Sequence, residues 1–135
     1  MKGIFCKKEI FYLFIALSAV IFPFCSGSVD NQLKKIAEEA NETSPKLLDQ
    51  WTRLDSCEAI PNKNIRYYHT VSGVVISDTT LFKSNLKPQI VSVAKTNPDM
   101  KFFRENDVTM QYQYNDESGN YIFSIIISPQ DYKTN

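Results

Sequence analysis

Histidine is the side chain best suited to general acid–base chemistry near neutral pH, and this chain of 135 residues contains a single one, His69. Two carboxylates, Asp55 and Glu58, precede it in the sequence. Together these residues would suit a small hydrolase or isomerase. No sequence motif fixes a serine or cysteine nucleophile beside His69, so we interpret it as a core or boundary histidine that is satisfied by one hydrogen bond.

Other groups that carry chemistry are scarce. A single histidine, few cysteines and scattered carboxylates are too few natural ligands for a zinc site. Gly73 and Gly119 are isolated, so there is no glycine-rich loop to bind phosphate. Asp116 and Glu117 are adjacent in a polar loop, where turn formation explains them. We therefore expect no metal, no cofactor and no catalytic residue.

The N-terminal segment has the layout of a Sec-type export signal. Lysines at positions 2, 7 and 8 precede an apolar run over 10–24 that is broken only by Ser18 and Pro23. Small residues follow at 25–28, where a signal peptidase can cleave. We predict a signal peptide over residues 1–27 and a single domain over 28–135, periplasmic or secreted, with no membrane span after cleavage.

Two alternatives stay open for this segment. Left uncleaved, it would anchor the domain in the inner membrane, although a spanning helix needs about 20 apolar residues and this run is shorter and contains a proline. Lipidation of Cys25 is the other alternative. The residues just before Cys25 are Phe22, Pro23 and Phe24, whereas a lipobox requires small residues there.

The domain that follows is small and mildly acidic. The whole chain has 15 basic and 15 acidic residues, and removal of the leader leaves 12 and 14. No basic block is left, so nucleic acid is not an expected partner. Cys57 is the one cysteine beyond the leader, which excludes an internal disulfide. It is either a buried hydrophobic side chain or a thiol that pairs with another chain.

Apolar residues at helical spacing predict two main helices. The first begins with Asp30 as its N-cap and has one apolar face, formed by Leu33, Ile36, Ala37 and Ala40. The second begins at Asp78 or Thr79, and its apolar face comprises Phe82, Leu86, Ile90 and Val93 or Ala94. Pro88 predicts that the second helix is kinked or divided. Shorter helical turns are predicted at 44–50, opened by Ser44 and Pro45, and at 98–104.

Alternating β-rich runs predict two hairpins. The first joins strands at 52–60 and 65–76, and the second joins 108–114 to 121–128 through a polar loop. Symmetric closure of the second hairpin predicts that Tyr114 faces Tyr121 and that Tyr112 faces Phe123. One face of this hairpin is apolar, and the other is polar except for Ile122 and Ile126. The order of elements predicts an α+β fold with a four-stranded antiparallel sheet and both helices on its apolar face.

Several stretches resemble a group of small exported bacterial proteins without an assigned activity. They are Thr52-Arg53-Leu54-Asp55-Ser56, Leu86-Lys87-Pro88-Gln89-Ile90, Thr96-Asn97-Pro98-Asp99-Met100 and the closing run with Val108, Thr109, Tyr112, Tyr114, Gly119, Tyr121 and Ile122. The resemblance implies export and a compact α+β domain, and it implies no reaction. It also implies a pair of cysteines whose places are held here by Ala94 or Lys95 and by Tyr132.

The polar face of the predicted sheet is the candidate binding surface. Its binding residues are Arg53, Arg66, Tyr68, Gln111 and Gln113, with Asp55 among them. Tyrosine and arginine are enriched where proteins bind other proteins, although any one-sided sheet also needs a polar outer face. The predicted function is a non-catalytic binding or accessory domain with a protein partner in the cell envelope. The alternative is the hydrolase or isomerase that uses His69 with a nearby carboxylate.

Overall fold

The computed structural model describes residues 28–133, so the predicted signal peptide over 1–27 lies outside the described part of the chain. Its helices are α1 (Val29–Glu42), α2 (Thr79–Thr96), α3 (Lys101–Glu105) and α4 (Pro129–Lys133). Its strands are β1 (Lys46–Leu47), β2 (Thr52–Ile60), β3 (Asn64–Val71), β4 (Thr109–Asn115) and β5 (Tyr121–Ile127). A 3₁₀ turn, Pro98–Met100, precedes α3.

The strands form one mixed sheet in the order β1-β2-β3-β4-β5. The α+β class is confirmed, but the predicted four-stranded antiparallel sheet is wrong, because a fifth strand is present and β3 and β4 are parallel. Strand alternation identifies the buried face of each hairpin and not the direction in which two hairpins join. Here α2 returns the chain along the sheet, so that Thr109 pairs with Asn64 and both strands run the same way.

The N-cap of helix α1 lies two residues before the predicted one, at Ser28 in place of Asp30. The hydroxyl of Ser28 accepts a hydrogen bond from the backbone N–H of Asn31 at 3.2 Å and caps the helix. The carboxylate of Asp30 instead accepts from the backbone N–H groups of Asn62 and Lys63, at 3.2 and 2.7 Å. Asp30 therefore ties α1 to the turn between β2 and β3.

The segment after α1 is a strand where a helical turn was predicted. The Ser44 hydroxyl donates to the carbonyl of Ala40 at 2.8 Å, so Ser44 completes α1 and does not open a new helix. Lys46 and Leu47 then pair with Leu54 and Arg53 of β2. This pairing is a tertiary contact, which local spacing does not encode.

Helix α2 runs without a break from Thr79 to Thr96, with Pro88 in its interior and Asp78 as its N-cap. Of the predicted apolar face, only Ala94 is fully buried. Phe82, Leu86 and Ile90 are half-buried, and Val93 is 45% exposed. The stripe that periodicity assigned to the core is thus only partly covered.

The second hairpin has the predicted faces in a different register. Met110 faces Ile127, Tyr112 faces Ile125 and Tyr114 faces Phe123, which is a shift of two residues. A bulge makes Ile122 the extra residue opposite Tyr114 and Asn115. Ile122 packs against the core, so the prediction that it interrupts the polar face is wrong, whereas Ile126 is exposed.

The core lies between the sheet and the helices. Its fully buried large side chains are Phe123, Leu33, Ile65, Met110, Ile127 and Val108. Cys57 is buried as a free thiol, which agrees with the first of its two predicted roles. The C-terminal helix α4 was not predicted. Its Tyr132 is buried, with the hydroxyl 2.8 Å from the carbonyl oxygen of Val108.

Candidate functional site

An open groove lies on the helix-covered face of the sheet. Helix α1 packs on β2 and β3, and α2 packs on β5 and α4, so the middle of the sheet is left partly uncovered between them. The groove has a volume of about 490 Å³. Its lining residues are Leu48, Leu54, Tyr67, His69, Leu86, Gln89, Ile90, Val93, Met100 and Tyr112.

The groove lining comes from four parts of the chain, the smallest of which is Met100 in the 3₁₀ turn before α3. Helix α2 supplies Leu86, Ile90 and Val93, spaced so that they share one helix face. The strands supply the floor, and the segment between β1 and β2 supplies Leu48, which is 53% exposed. These side chains contain no carboxylate and no lysine or arginine. The groove is therefore suited to an apolar ligand.

A smaller pocket of about 310 Å³ adjoins the groove and shares Leu48 and Leu86 with it. Trp51 lines this pocket, is 46% exposed and lies beside Gly73, where an added Cβ would come within 3.1 Å of its ring. Gly73 also has a φ of +70°, a conformation that glycine adopts readily. Glycine at this position lets the indole ring rest against the backbone.

His69 lies at the floor of the groove in a row of stacked rings. Its ring is 4.8 Å from that of Tyr114 and 6.1 Å from that of Tyr112. The row continues to Tyr67 beyond Tyr112 and to Phe123 beyond Tyr114, at 5.1 and 4.7 Å. Burial lowers the pKa of His69. The ring is therefore neutral at neutral pH, and the prediction of a histidine at the core boundary agrees with this geometry.

The carboxylates that the hydrolase alternative required lie on the opposite face of the sheet. Asp55 is the extra residue of a bulge in β2 and accepts hydrogen bonds from Thr70 at 2.6 Å and from Arg53 at 2.5 Å. Glu58 accepts from the Tyr68 hydroxyl at 2.7 Å. Neither carboxylate lines the groove that contains His69, so the structure does not bring this acid–base pair together.

The five predicted binding residues share the open face of the sheet. Arg66 donates to the side-chain oxygen of Gln111 at 2.9 Å and to the Tyr68 hydroxyl at 3.2 Å. Gln113 lies next to Tyr68 across the β3–β4 pair and donates to the side chain of Asn115 at 3.2 Å. Arg53 is in the separate pair with Asp55. The face is a set of mutually bonded side chains, and its role in binding stays a prediction.

Sequence periodicity did not identify Leu48 of the groove or Trp51 of the adjoining pocket as candidate site residues. The available signal was the apolar run Leu47, Leu48 and Trp51 in a segment without regular periodicity. All three side chains are exposed. Exposed large apolar side chains grouped in one place commonly mark a binding surface.

The described residues contain neither a metal-binding cluster nor a membrane-spanning helix. Within residues 28–133, no group of three or more histidine, cysteine or acidic side chains is arranged to hold a metal ion. No helix in the same part of the chain combines the length and the apolar composition needed to cross a bilayer.

Three solved structures share this fold at low sequence identity. A candidate secreted protein of Pseudomonas aeruginosa is 11% identical, with a TM-score of 0.63 over 76% of this chain and 91% of its own. The pilotin EpsS of the Vibrio vulnificus type 2 secretion system is 8% identical, with a TM-score of 0.63 over 79% and 94%. The pilotin AspS of the Vibrio cholerae type II secretion system is 10% identical, with a TM-score of 0.59 over 76% and 91%.

Sequence comparison gives a family without an assigned activity, in agreement with the resemblance drawn from the sequence. None of the curated proteins matches the chain significantly. A family model described as "Domain of unknown function (DUF8479)" matches residues 28–123, which is most of the folded part. The chain therefore belongs to the DUF8479 family.

Proposed function

We propose that this chain is an exported, non-catalytic accessory domain that binds an apolar segment of a protein partner in the cell envelope. The observation that carries the proposal is the groove between α2 and the sheet, with its carboxylate-free lining. A helix stripe with the spacing of a core face usually packs against other side chains. Here that stripe is left partly open to solvent, as expected if a partner covers it.

The shared fold supports an accessory role. Two of these similar solved proteins are pilotins of type II secretion systems, and another is a candidate secreted protein. By analogy, we infer that this domain serves an assembly of the envelope. The partner's binding segment needs an apolar surface that matches Leu86, Ile90 and Val93.

A pair of neighbouring substitutions on α2 tests the groove. Val93→Lys places a charge at the groove wall, at a position already 45% exposed, so we expect the fold to tolerate it. Ser92→Lys is the matched control, because Ser92 is exposed and does not line the groove. The amount of partner recovered with the tagged protein from the envelope fraction should fall more than about tenfold with Val93→Lys, since burying an unpaired charge costs several kcal/mol. Equal recovery with both variants would contradict the proposal.

Export itself is tested at the N-terminus of the protein isolated from cells. We expect intact-mass measurement to give a chain that begins near Ser28, without the lysine-rich end and the apolar run over 10–24. A membrane-bound chain that still begins at Met1 would favour the uncleaved anchor. A lipid-modified chain that begins at Cys25 would favour the lipoprotein alternative.

A further inference from the structure

The hydrogen bond of His69 fixes which of its nitrogens carries the proton. Its Nδ1 lies 3.2 Å from the backbone carbonyl oxygen of Gln113. A carbonyl oxygen only accepts hydrogen bonds, so Nδ1 must donate and must be protonated in the neutral ring. Nε2 then carries a lone pair and acts as an acceptor.

The structure leaves Nε2 available at the groove. Nδ1 is directed at the neighbouring strand β4, so the opposite edge of the ring, with Nε2, is directed away from that strand. Among the described residues, no buried side-chain nitrogen or oxygen lacks a hydrogen-bond partner. The hydrogen bond of the His69 ring is made at Nδ1, so Nε2, which has no such bond within the described chain, is not a fully buried atom. Solvent therefore reaches Nε2 through the groove that His69 lines, although the residue as a whole is only 4% exposed.

The other polar side chains of the groove offer less to a ligand. One side-chain N–H of Gln89 donates to the carbonyl of Asn85 at 3.1 Å. The amide still has a second N–H and an acceptor oxygen, so Gln89 can pair with either a donor or an acceptor and does not discriminate between them. The Tyr112 hydroxyl is 3.7 Å from the sulfur of Met110. Hydroxyl groups both donate and accept, so a tyrosine does not discriminate between donors and acceptors. Neutral His69 accepts only at Nε2, and the walls around it are apolar.

We propose that Nε2 of His69 is the specificity element of the groove and selects an apolar segment that presents one N–H or O–H donor at this point. This inference rests on the proposed function of the groove. A bound segment without a donor would displace water from Nε2 and leave this nitrogen buried without a hydrogen bond. The free-energy penalty of such an unpaired group exceeds the net gain from an ordinary hydrogen bond. The binding segment of the partner therefore has a donor, such as a serine, asparagine or tryptophan side chain, among its apolar residues.

Two small probes of nearly equal shape test the proposal directly. Indole has an N–H donor, and 1-methylindole has none. We expect the purified protein to bind indole about three- to tenfold more tightly, the range that one neutral hydrogen bond supplies. His69→Phe keeps a ring in the stack and removes the acceptor, so it should abolish this preference. Ser92→Leu, an exposed position on the same helix outside the groove, should preserve it.

A spectroscopic measurement on the unaltered protein keeps the test valid if His69→Phe fails to fold. Because the chain has one histidine, ¹⁵N-histidine labelling reports on His69 alone. We expect a protonated Nδ1 and an unprotonated Nε2, and indole should shift the Nε2 signal whereas 1-methylindole should not. Equal affinities for the two probes, or a proton on Nε2, would overturn the inference and leave the groove function intact. If neither probe shifts the groove resonances, both the function and the inference fail.

Discussion

The two faces of the sheet differ in how their polar groups are used. On the open face, Arg66, Tyr68 and Gln111 bond to one another. In the groove, Nε2 of His69 has no bonded partner among the described side chains, and apolar residues such as Val93 are in contact with water. The open face is largely satisfied by its own side chains. The groove is left incomplete, which is the usual condition of a binding site in its free form.

This contrast shows why composition alone is a weak guide to a binding surface. Arginine, tyrosine and glutamine on a sheet face have the composition of an interface, yet here they satisfy each other across β3 and β4. Binding there would require some of these hydrogen bonds to be exchanged for new ones. Binding in the groove would add contacts and remove none.

The largest expected effect is the loss of stability when a buried side chain is truncated on the helix-covered face of the sheet. Phe123 is buried and stacks on Tyr114 and Phe82 at 4.7 and 5.3 Å. Phe123→Ala should lower the free energy of unfolding by about 3 to 5 kcal/mol, a large share of the 5 to 15 kcal/mol typical of a domain. Chemical denaturation measures this. Ile126→Ala, on the same strand but 54% exposed, should change it by about 0.5 kcal/mol or less. Equal losses would mean that the two faces are misassigned.

A smaller effect is expected from the charge state of His69. Burial lowers the pKa of His69 in the folded protein below the ordinary value of 6.5. Below pH 6.5, His69 therefore binds a proton more readily in the unfolded chain than in the folded chain, and protonation favours unfolding. The His69 contribution to stability is complete above pH 6.5 and is lost as the pH falls through the folded-state pKa. The titratable groups nearest the ring are Tyr112 and Tyr114, whose own pKa values are raised by burial, and Asp55 acts on it at longer range.

The control for this pH dependence is a variant that lacks the ionisable ring. Wild type and His69→Phe are compared by urea denaturation at pH values from about 7.5 to about 4.5, in steps of roughly half a unit. Carboxylates titrate in both proteins, so the difference between the two unfolding free energies isolates the contribution of His69. The difference in unfolding free energy between the two proteins should change below pH 6.5. A constant difference across the series would show that His69 titrates normally and is not desolvated.

The polar face should contribute little to stability. Arg66→Ala removes hydrogen bonds to Gln111 and Tyr68 from a half-buried position, which should cost about 1 kcal/mol or less. Gln113→Ala should cost less still, because its one side-chain bond is to Asn115. Thermal melts measure both variants. A loss of stability as large as that of Phe123→Ala would contradict this prediction and would show that the open face is as important for folding as the core.

No effect is expected from reductant. Cys57 is a buried free thiol, and burial raises its pKa to about 12, so little thiolate is present at neutral pH. Melts with and without dithiothreitol should coincide, and thiol reagents should label Cys57 only as fast as the protein opens. Rapid labelling of the folded protein would indicate that Cys57 is accessible and able to pair with another chain.

Local structure could be predicted from the sequence better than the way in which the strands join and the helices cover the sheet. Strand β2 was predicted at its observed bounds, and the apolar face of the second hairpin was correct. The parallel joining of β3 to β4 was missed because strand alternation is the same in parallel and antiparallel pairs that share a face. The groove was missed for a related reason. A helical stripe such as Leu86 to Val93 indicates a face that needs covering, and does not say whether this chain or a partner covers it.

The most direct test of the account compares the two faces in living cells. A photoreactive benzoylphenylalanine is placed either at Val93, in the groove wall, or at Gln113, on the open face, and the cells are irradiated. We predict a specific adduct with an envelope protein from the Val93 position and none from the Gln113 position. An adduct from Gln113 with none from Val93 would contradict the account, because the partner would then bind the polar face of the sheet.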